Sequence, residues 1–164
     1  MPVVSRRTRY ALHGLAYMAA SAGDQPVSFE EILAYLQAES EPLSLSPSYI
    51  AKIFQRISQT GLTHAVPGPR GGYRLSRPPE EIRLIQILEV LEGPPLTDCC
   101  LLDPDGERSH QEVCGLLDLV HEAEIAFCRV FEQETLASLA AKMGFPDAAA
   151  GAAGGAAGSE PEKD

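Results

Sequence analysis

Apolar residues recur at helical spacing from the start of the chain. Ala11, Leu15 and Met18 stand at i, i+4 and i+7, flanked by Leu12, Ala16 and Ala19, which predicts a helix with one buried face. Ser5 is placed to cap it, and the small, polar stretch at 21–24 ends it. A second helix opens at Ser28, with Glu31 three residues on as in a capping box, and runs through Ile32, Leu33, Tyr35 and Leu36. After a connector over 39–45, Ser46 followed by Pro47 reads as a cap and a proline at the first helical position. In the third helix Ile50, Ile53, Phe54 and Ile57 form the buried stripe, while Ser48, Lys52, Gln55, Arg56 and Gln59 fall off it. Thr60 and Gly61 stop that helix, since glycine adopts the left-handed conformation at low cost.

A short strand at 62–66, a Gly- and Pro-rich turn at 67–72 and a second strand at 73–75 predict a hairpin. Three helices and a glycine-rich hairpin, with the third helix polar on its outer face, describe a winged helix-turn-helix in a mainly α chain. A fourth helix over 82–92 is apolar on more than one face through Leu84, Ile85, Ile87, Leu88, Val90 and Leu91, so it must pack against two neighbours. Ser109 and Glu112 form another capping box, opening a long helix to about residue 132 with Val113, Leu116, Leu117, Val120, Phe127 and Phe131 at helical spacing. One more short turn or helix falls at 135–143. Every residue from 148 to 158 is Ala or Gly, a composition that cannot bury a core and predicts a disordered tail. The expected organisation is a winged-helix unit at 1–80, a dimerisation and cysteine-containing region at 81–143 and the tail at 144–164.

Composition changes the picture only once it is divided along the chain. The net charge of −10 argues against nucleic acid as a partner, because phosphate repels a net anion. Residues 1–82, however, hold eight Lys and Arg against seven Asp and Glu, a net +1, while residues 83–164 hold five against sixteen, a net −11. The bases of the first half fall into three groups, at 6–9, 52–56 and 70–77. That asymmetry points to a local anion-binding face on the helix-and-hairpin half. No apolar run reaches the length of a membrane span, and no signal-peptide pattern follows Arg6 and Arg7. The expectation is a cytoplasmic protein in which four Cys are too few for a disulfide framework.

The ordered motifs then suggest a family. Arg9-Tyr10-Ala11-Leu12-His13, Leu45-Ser46-Pro47-Ser48-Tyr49-Ile50-Ala51-Lys52, Gly61-Leu62, Gly68-Pro69-Arg70-Gly71-Gly72-Tyr73-Arg74-Leu75, Val90-Leu91-Glu92-Gly93-Pro94 and Glu134-Thr135-Leu136-Ala137-Ser138-Leu139 together resemble the Rrf2 family. The resemblance covers about residues 5–140. It implies a homodimeric winged-helix transcriptional regulator, a repressor on an inverted-repeat operator, sensing iron-sulfur, nitric oxide, redox or cysteine status. In such a fold the third helix enters the major groove, where Ser46, Ser48 and Tyr49 offer hydrogen bonds at its first turn and Lys52 and Arg56 add charge on one face. Arg70 in the hairpin would reach the minor groove, with Gly71 and Gly72 letting the backbone approach the duplex beside Tyr73. The hairpin lacks the following helix and Lys-Ser/Thr ending of a phosphate-cradling loop, and no HExxH, G-x-S-x-G or CxxC occurs, so nothing indicates an enzyme. A winged-helix adaptor without DNA binding is the contrasting class, and Lys52, Arg56, Arg70 and Arg74 argue against it.

Cluster-binding members of the family carry three regularly spaced Cys before the long helix, and this chain departs from that. Cys99 and Cys100 are adjacent, Cys114 follows after thirteen residues and Cys128 after thirteen more. The resemblance implies a ligand set of Cys99 or Cys100, Cys114 and His13 for an iron-sulfur cluster of the 2Fe-2S kind, with His13 supplied by the partner subunit. The family's acidic position is Arg9 here, which has no oxygen to donate. Cys114, near the start of the long helix, sits where the helix dipole favours a thiolate. Cys114, His121 and Cys128 repeat every seven residues, about 10 Å apart, too far to share one small cluster. Cys128 therefore reads as a core or dimer-interface residue, His121 as a solvated or interface one, and His64 and His110 as surface ones. The alternative is a metal-free regulator responding through its thiols or a partner protein.

Overall fold

The computed structural model describes residues 4–21, 25–39, 45–69, 71–93 and 115–145, with the backbone alone at 115–118, 120 and 121. Residues 146–164 of the predicted tail, Arg70, the loop carrying Cys99 and Cys100, Cys114, His110 and the Ser109–Glu112 capping box lie outside the described residues. Gly144 and Phe145, which the sequence places in that tail, are described, and the Phe145 ring packs against Tyr17 and Tyr35 while its N–H donates to the Ala140 carbonyl.

Helix α1 (Arg6–Ala20) begins as its sequence requires, with the Ser5 hydroxyl accepting from the Thr8 N–H. Helix α2 (Phe29–Glu39) opens on the Ser28 and Glu31 capping box. The Glu31 N–H donates to Ser28 Oγ at 3.2 Å, and the Ser28 N–H donates back to the Glu31 carboxylate at 2.9 Å. In α3 (Pro47–Gln59) the start falls where Ser46 and Pro47 put it, but the cap differs from the expectation. The Ser46 hydroxyl pairs with the Ser48 hydroxyl at 2.7 Å, and the Ser46 carbonyl takes the Tyr49 and Ile50 N–H groups instead. Thr60 ends the helix and Gly61 follows at φ +78°.

Strands β1 (Thr63–Val66) and β2 (Gly72–Leu75) form the antiparallel hairpin, Thr63 opposite Leu75 and Val66 opposite Gly72. The backbone of Val27, between α1 and α2, adds an antiparallel bridge to Tyr73 through two hydrogen bonds of 2.8 and 2.9 Å. That pairing explains Gly72, because a Cβ there would lie 2.1 Å from the Val27 carbonyl oxygen.

A 3-10 turn (Pro79–Glu81) leads to α4 (Leu84–Glu92), which packs against α1, α3 and α5 (Gly115–Gln133). The helix starts two residues later than the spacing predicts because the backbone before it is already paired. Arg83 bridges to Thr135, the Leu84 N–H donates to the Glu134 carbonyl and the Leu136 N–H to the Ile82 carbonyl. The predicted short element at 135–143 is α6 (Leu136–Lys142), capped by Thr135 and Ser138, which bond reciprocally. It lies along α1. Leu136 and Ala140 are fully buried in one core with Leu15, Ile32, Ile50, Phe54, Ile57, Ile87 and Leu91. These helices and the hairpin are a winged helix-turn-helix.

Two carboxylates at helix starts make acid stability testable. The hydrogen bonds from Ser28 hold the Glu31 carboxyl below its ordinary value, and those from Lys142 and Ser138 do the same for Glu134. Groups with depressed folded values stabilise the fold above their unfolded pKa of about 4.3, and that contribution fades as pH falls through the folded value. The denaturant midpoint is therefore expected to drop between pH 6 and pH 3, and to drop less in the Glu31→Gln, Glu134→Gln double variant. Equal pH profiles would remove both carboxylates from the account.

Candidate nucleic-acid interface

Helix α3 divides cleanly into two faces. Ile50, Ile53, Phe54 and Ile57 are buried, whereas Ser46, Ser48, Tyr49, Lys52, Gln55, Arg56 and Gln59 are exposed. The result is a polar, cationic ridge anchored from beneath by four large side chains. Among the described residues neither Lys52 nor Arg56 has an acid within 4 Å, the ion pairs being Arg7 with Glu92 and Lys142 with Glu134. Both side chains are exposed to solvent. The paired Ser46 and Ser48 hydroxyls and the 40% exposed Tyr49 ring sit at the amino-terminal turn, the end of a helix where N–H groups favour an anion.

Tyr10 also belongs to this surface, and the residue pattern alone did not single it out. Its ring meets Tyr49 edge to face, with centroids 6.5 Å apart, tying α1 to the first turn of α3. On α1, Arg6, Arg9 and His13 are exposed and share the face of Tyr10 at i, i+3, i+4 and i+7 spacing. In the sequence Tyr10 stands inside the Arg9–His13 motif and beside the basic group at 6–9, but neither tells that its ring meets the first turn of α3.

The hairpin presents a mixed picture. Arg74 is exposed on β2 opposite His64 of β1. Tyr73 instead turns its ring onto Phe54, 5.3 Å between centroids, and burial pushes its phenol pKa up. Gly71 and Gly72 both run against the chain's own backbone, where a Cβ would lie 2.2 Å from the Val66 and 2.1 Å from the Val27 carbonyl oxygen. Arg70, between β1 and β2, lies outside the described residues.

Of the residues expected to hold a cluster, Cys99, Cys100 and Cys114 lie outside the described residues. His13 is exposed on α1, one turn from the exposed Arg9. Among the described residues no group of three His, Cys, Asp or Glu stands close enough to hold a metal ion. Cys128 on α5 is a free, half-buried thiol. Burial, and then the carboxylates of Glu124, Glu132 and Glu89, push its pKa up, so it stays protonated and is poorly suited to be a ligand or nucleophile. Helix α5 also leaves Leu119, Ile125 and Val130 open to solvent, at 66, 44 and 56% exposure. No described helix is long and apolar enough to cross a membrane.

Known proteins share this architecture along most of the chain. The profile of the Rrf2 family, described as an iron-dependent transcriptional regulator, matches residues 4–142. The HTH-type transcriptional regulator NsrR of Halalkalibacterium halodurans is 29% identical over 140 residues, spanning 80% of this chain and 86% of that protein. The HTH-type transcriptional regulator IscR of Cereibacter sphaeroides is 35% identical over 91 residues, 54% of each chain. Among solved structures, CymR, the global cysteine regulator of B. subtilis, superposes with a TM-score of 0.68 at 26% identity, over 87% of this chain and 98% of its own. The IscR structure from T. potens gives 0.66 at 22% identity, over 85% and 87%, a likeness of fold. This chain belongs to the Rrf2 family of winged helix-turn-helix transcriptional regulators, which bind DNA and are not enzymes.

Proposed function

We propose that the protein is a homodimeric repressor that reads an inverted-repeat operator. Helix α3 lies in the major groove, with Ser46, Ser48 and Tyr49 at base edges and phosphates, and Lys52 and Arg56 on the backbone. Arg70 extends from the hairpin into the minor groove, with Gly71, Gly72 and Tyr73 shaping the turn behind it. The observation that carries this reading is the exposed cationic face of α3, without an acidic ion-pair partner among the described residues, above a buried apolar stripe. The exposed Leu119, Ile125 and Val130 on α5 support pairing with a second copy, whose recognition helix would meet the other half-site.

The signal enters through the cysteines of the segment between α4 and α5. In the first form of this reading Cys99 or Cys100, Cys114 and His13 of the partner subunit hold an iron-sulfur cluster, which would supply a redox-sensitive set of bonds. The family description as iron-dependent supports it. In the second form the thiols act without metal. The absence of an oxygen donor at Arg9 and the likeness to a cysteine regulator support that one. Anaerobic purification with iron and sulfide assays and a visible spectrum separates the two. Iron, sulfide and visible absorption that Cys114→Ser abolishes are expected for the cluster. Colourless, iron-free protein after reconstitution leaves the metal-free thiol form. A gel shift on the protein's own promoter region tests the repressor reading, and no retardation at low salt would return the chain to the adaptor class.

A further inference from the structure

The end of α4 is tied to the beginning of α1 by a set of polar contacts that neither helix needs for its own formation. Glu92, the last residue of α4, accepts hydrogen bonds on one carboxylate oxygen from the Ser5 N–H, at 3.0 Å, and from the Thr8 hydroxyl. Thr8 is fully buried, so this carboxylate is the partner its hydroxyl requires. Arg7 closes the same junction, donating to the Leu91 carbonyl and standing 3.9 Å from the other Glu92 oxygen.

The placement of the charge is informative. A carboxylate at a helix carboxyl end is disfavoured by the helix dipole, yet the same carboxylate at a helix amino end is favoured. Glu92 stands at both, and its unfavourable position on α4 is offset by the first turn of α1. Burial raises its pKa, but the bonds from Ser5 and Thr8 and the charge of Arg7 outweigh burial and hold it below the ordinary value, so the contact is charged at neutral pH.

Both ends of this junction lead somewhere. On one side Gly93, at φ +97°, breaks the chain away from α4 and into the segment that carries Cys99, Cys100 and Cys114. On the other, α1 carries Tyr10 one half-turn beyond Thr8, and Tyr10 rests on Tyr49 in the first turn of α3. We propose that Glu92 is a positioning residue for operator reading, its carboxylate setting the first turn of α1 against the end of α4 and, through Tyr10 and Tyr49, the reading turn of α3. This rests on the reading of α3 as the operator-binding helix. It places the attachment point of the cysteine segment and the reading turn on one continuous chain of contacts.

The test uses the full-length protein with its own promoter operator and a scrambled duplex of equal length. Amide hydrogen exchange at Tyr49 and Ile50 is measured without DNA. In Glu92→Ala and Thr8→Val the preference for operator over scrambled duplex is expected to fall about tenfold. The Tyr49 and Ile50 amides should exchange about tenfold faster, while those in the middle of α4 are unchanged. Glu92→Gln, whose amide oxygen still accepts from Ser5 and Thr8, should keep both within about threefold of the parent. If Glu92→Ala does not fold, Glu92→Asp withdraws the carboxylate by one methylene and keeps its charge, and it should show the same two losses. Equal gains in binding to both duplexes would mean that Glu92 acts only by charge repulsion and would overturn the proposal. So would an unchanged preference and unchanged exchange in Glu92→Ala and Thr8→Val. A parent protein with no operator preference removes the reading of α3 and this proposal with it, whereas a preference kept by all the variants removes the proposal alone.

Discussion

Leu136→Asp is expected to unfold the winged helix-turn-helix itself, although the residue lies 61 positions beyond Leu75, the end of the hairpin. Its side chain has no exposure, its N–H is bonded to the Ile82 carbonyl, and the helix it starts lies along α1. An unpaired carboxylate in that position carries a desolvation cost of several kcal/mol on top of the lost apolar contacts. The milder Leu136→Ala removes the contacts alone and should cost about 2–5 kcal/mol. Either is a large share of the roughly 5–15 kcal/mol that holds a domain of this size together. Circular dichroism through a urea titration measures it. The midpoint should fall markedly for Leu136→Ala and the native baseline should vanish for Leu136→Asp. Gln37→Ala, exposed on α2, is the control and should leave the midpoint in place. A Leu136→Ala midpoint equal to that of the parent would show that α6 is an appendage.

Lys52→Ala and Arg56→Ala are expected to weaken operator binding and to make it less sensitive to salt. Each cation stands exposed on α3 without an acidic neighbour among the described residues, so its charge is not already spent inside the molecule. A cation that neutralises one phosphate contributes about 0.9 to the slope of log affinity against log salt. In a symmetric dimer one substitution removes two such contacts, and the slope should flatten by about 2. At moderate salt the affinity loss should reach about one to three orders of magnitude, for two contacts of roughly 1–2 kcal/mol each. Arg70→Ala should behave likewise where the minor groove is narrow and A·T-rich. Fluorescence anisotropy with a labelled operator, repeated across a salt series, gives affinity and slope together. Parallel lines for the parent and both α3 variants would mean that this face does not meet phosphate.

The local features were legible because their causes lie within a few residues of one another. Ser5 with Thr8 and Ser28 with Glu31 each close a helix start over three positions. Gly61 ends α3 by its own backbone conformation, at φ +78°. The exposed face of α3 was legible for the same reason, since a buried stripe at Ile50, Ile53, Phe54 and Ile57 leaves Ser48, Lys52 and Arg56 nowhere else to point. The Ser46 hydroxyl was the exception. Two serines flank Pro47, and which hydroxyl pairs with which is a matter of side-chain rotamer that periodicity does not carry.

By itself, then, the chain of residues determined the helices, the hairpin, the caps at Ser5 and Ser28 and the charge on the exposed face of α3, all set by contacts of short sequence separation. Tertiary structure decided everything that joins distant positions. Val27 pairs with Tyr73, Arg83 with Thr135, Tyr10 rests on Tyr49, and Glu92 reaches back to Ser5 and Thr8. None of these pairs has a local signature, because a backbone bridge or a single hydrogen bond can be made by many residue types. Which ones meet depends on how the whole core closes. That closure also turned Gly72 from a flexible turn residue into a position with no room for a side chain, because the Val27 backbone fills the space. It carried Leu136, from beyond the acidic helix α5, against α1 and into the one core that also holds the buried stripe of α3.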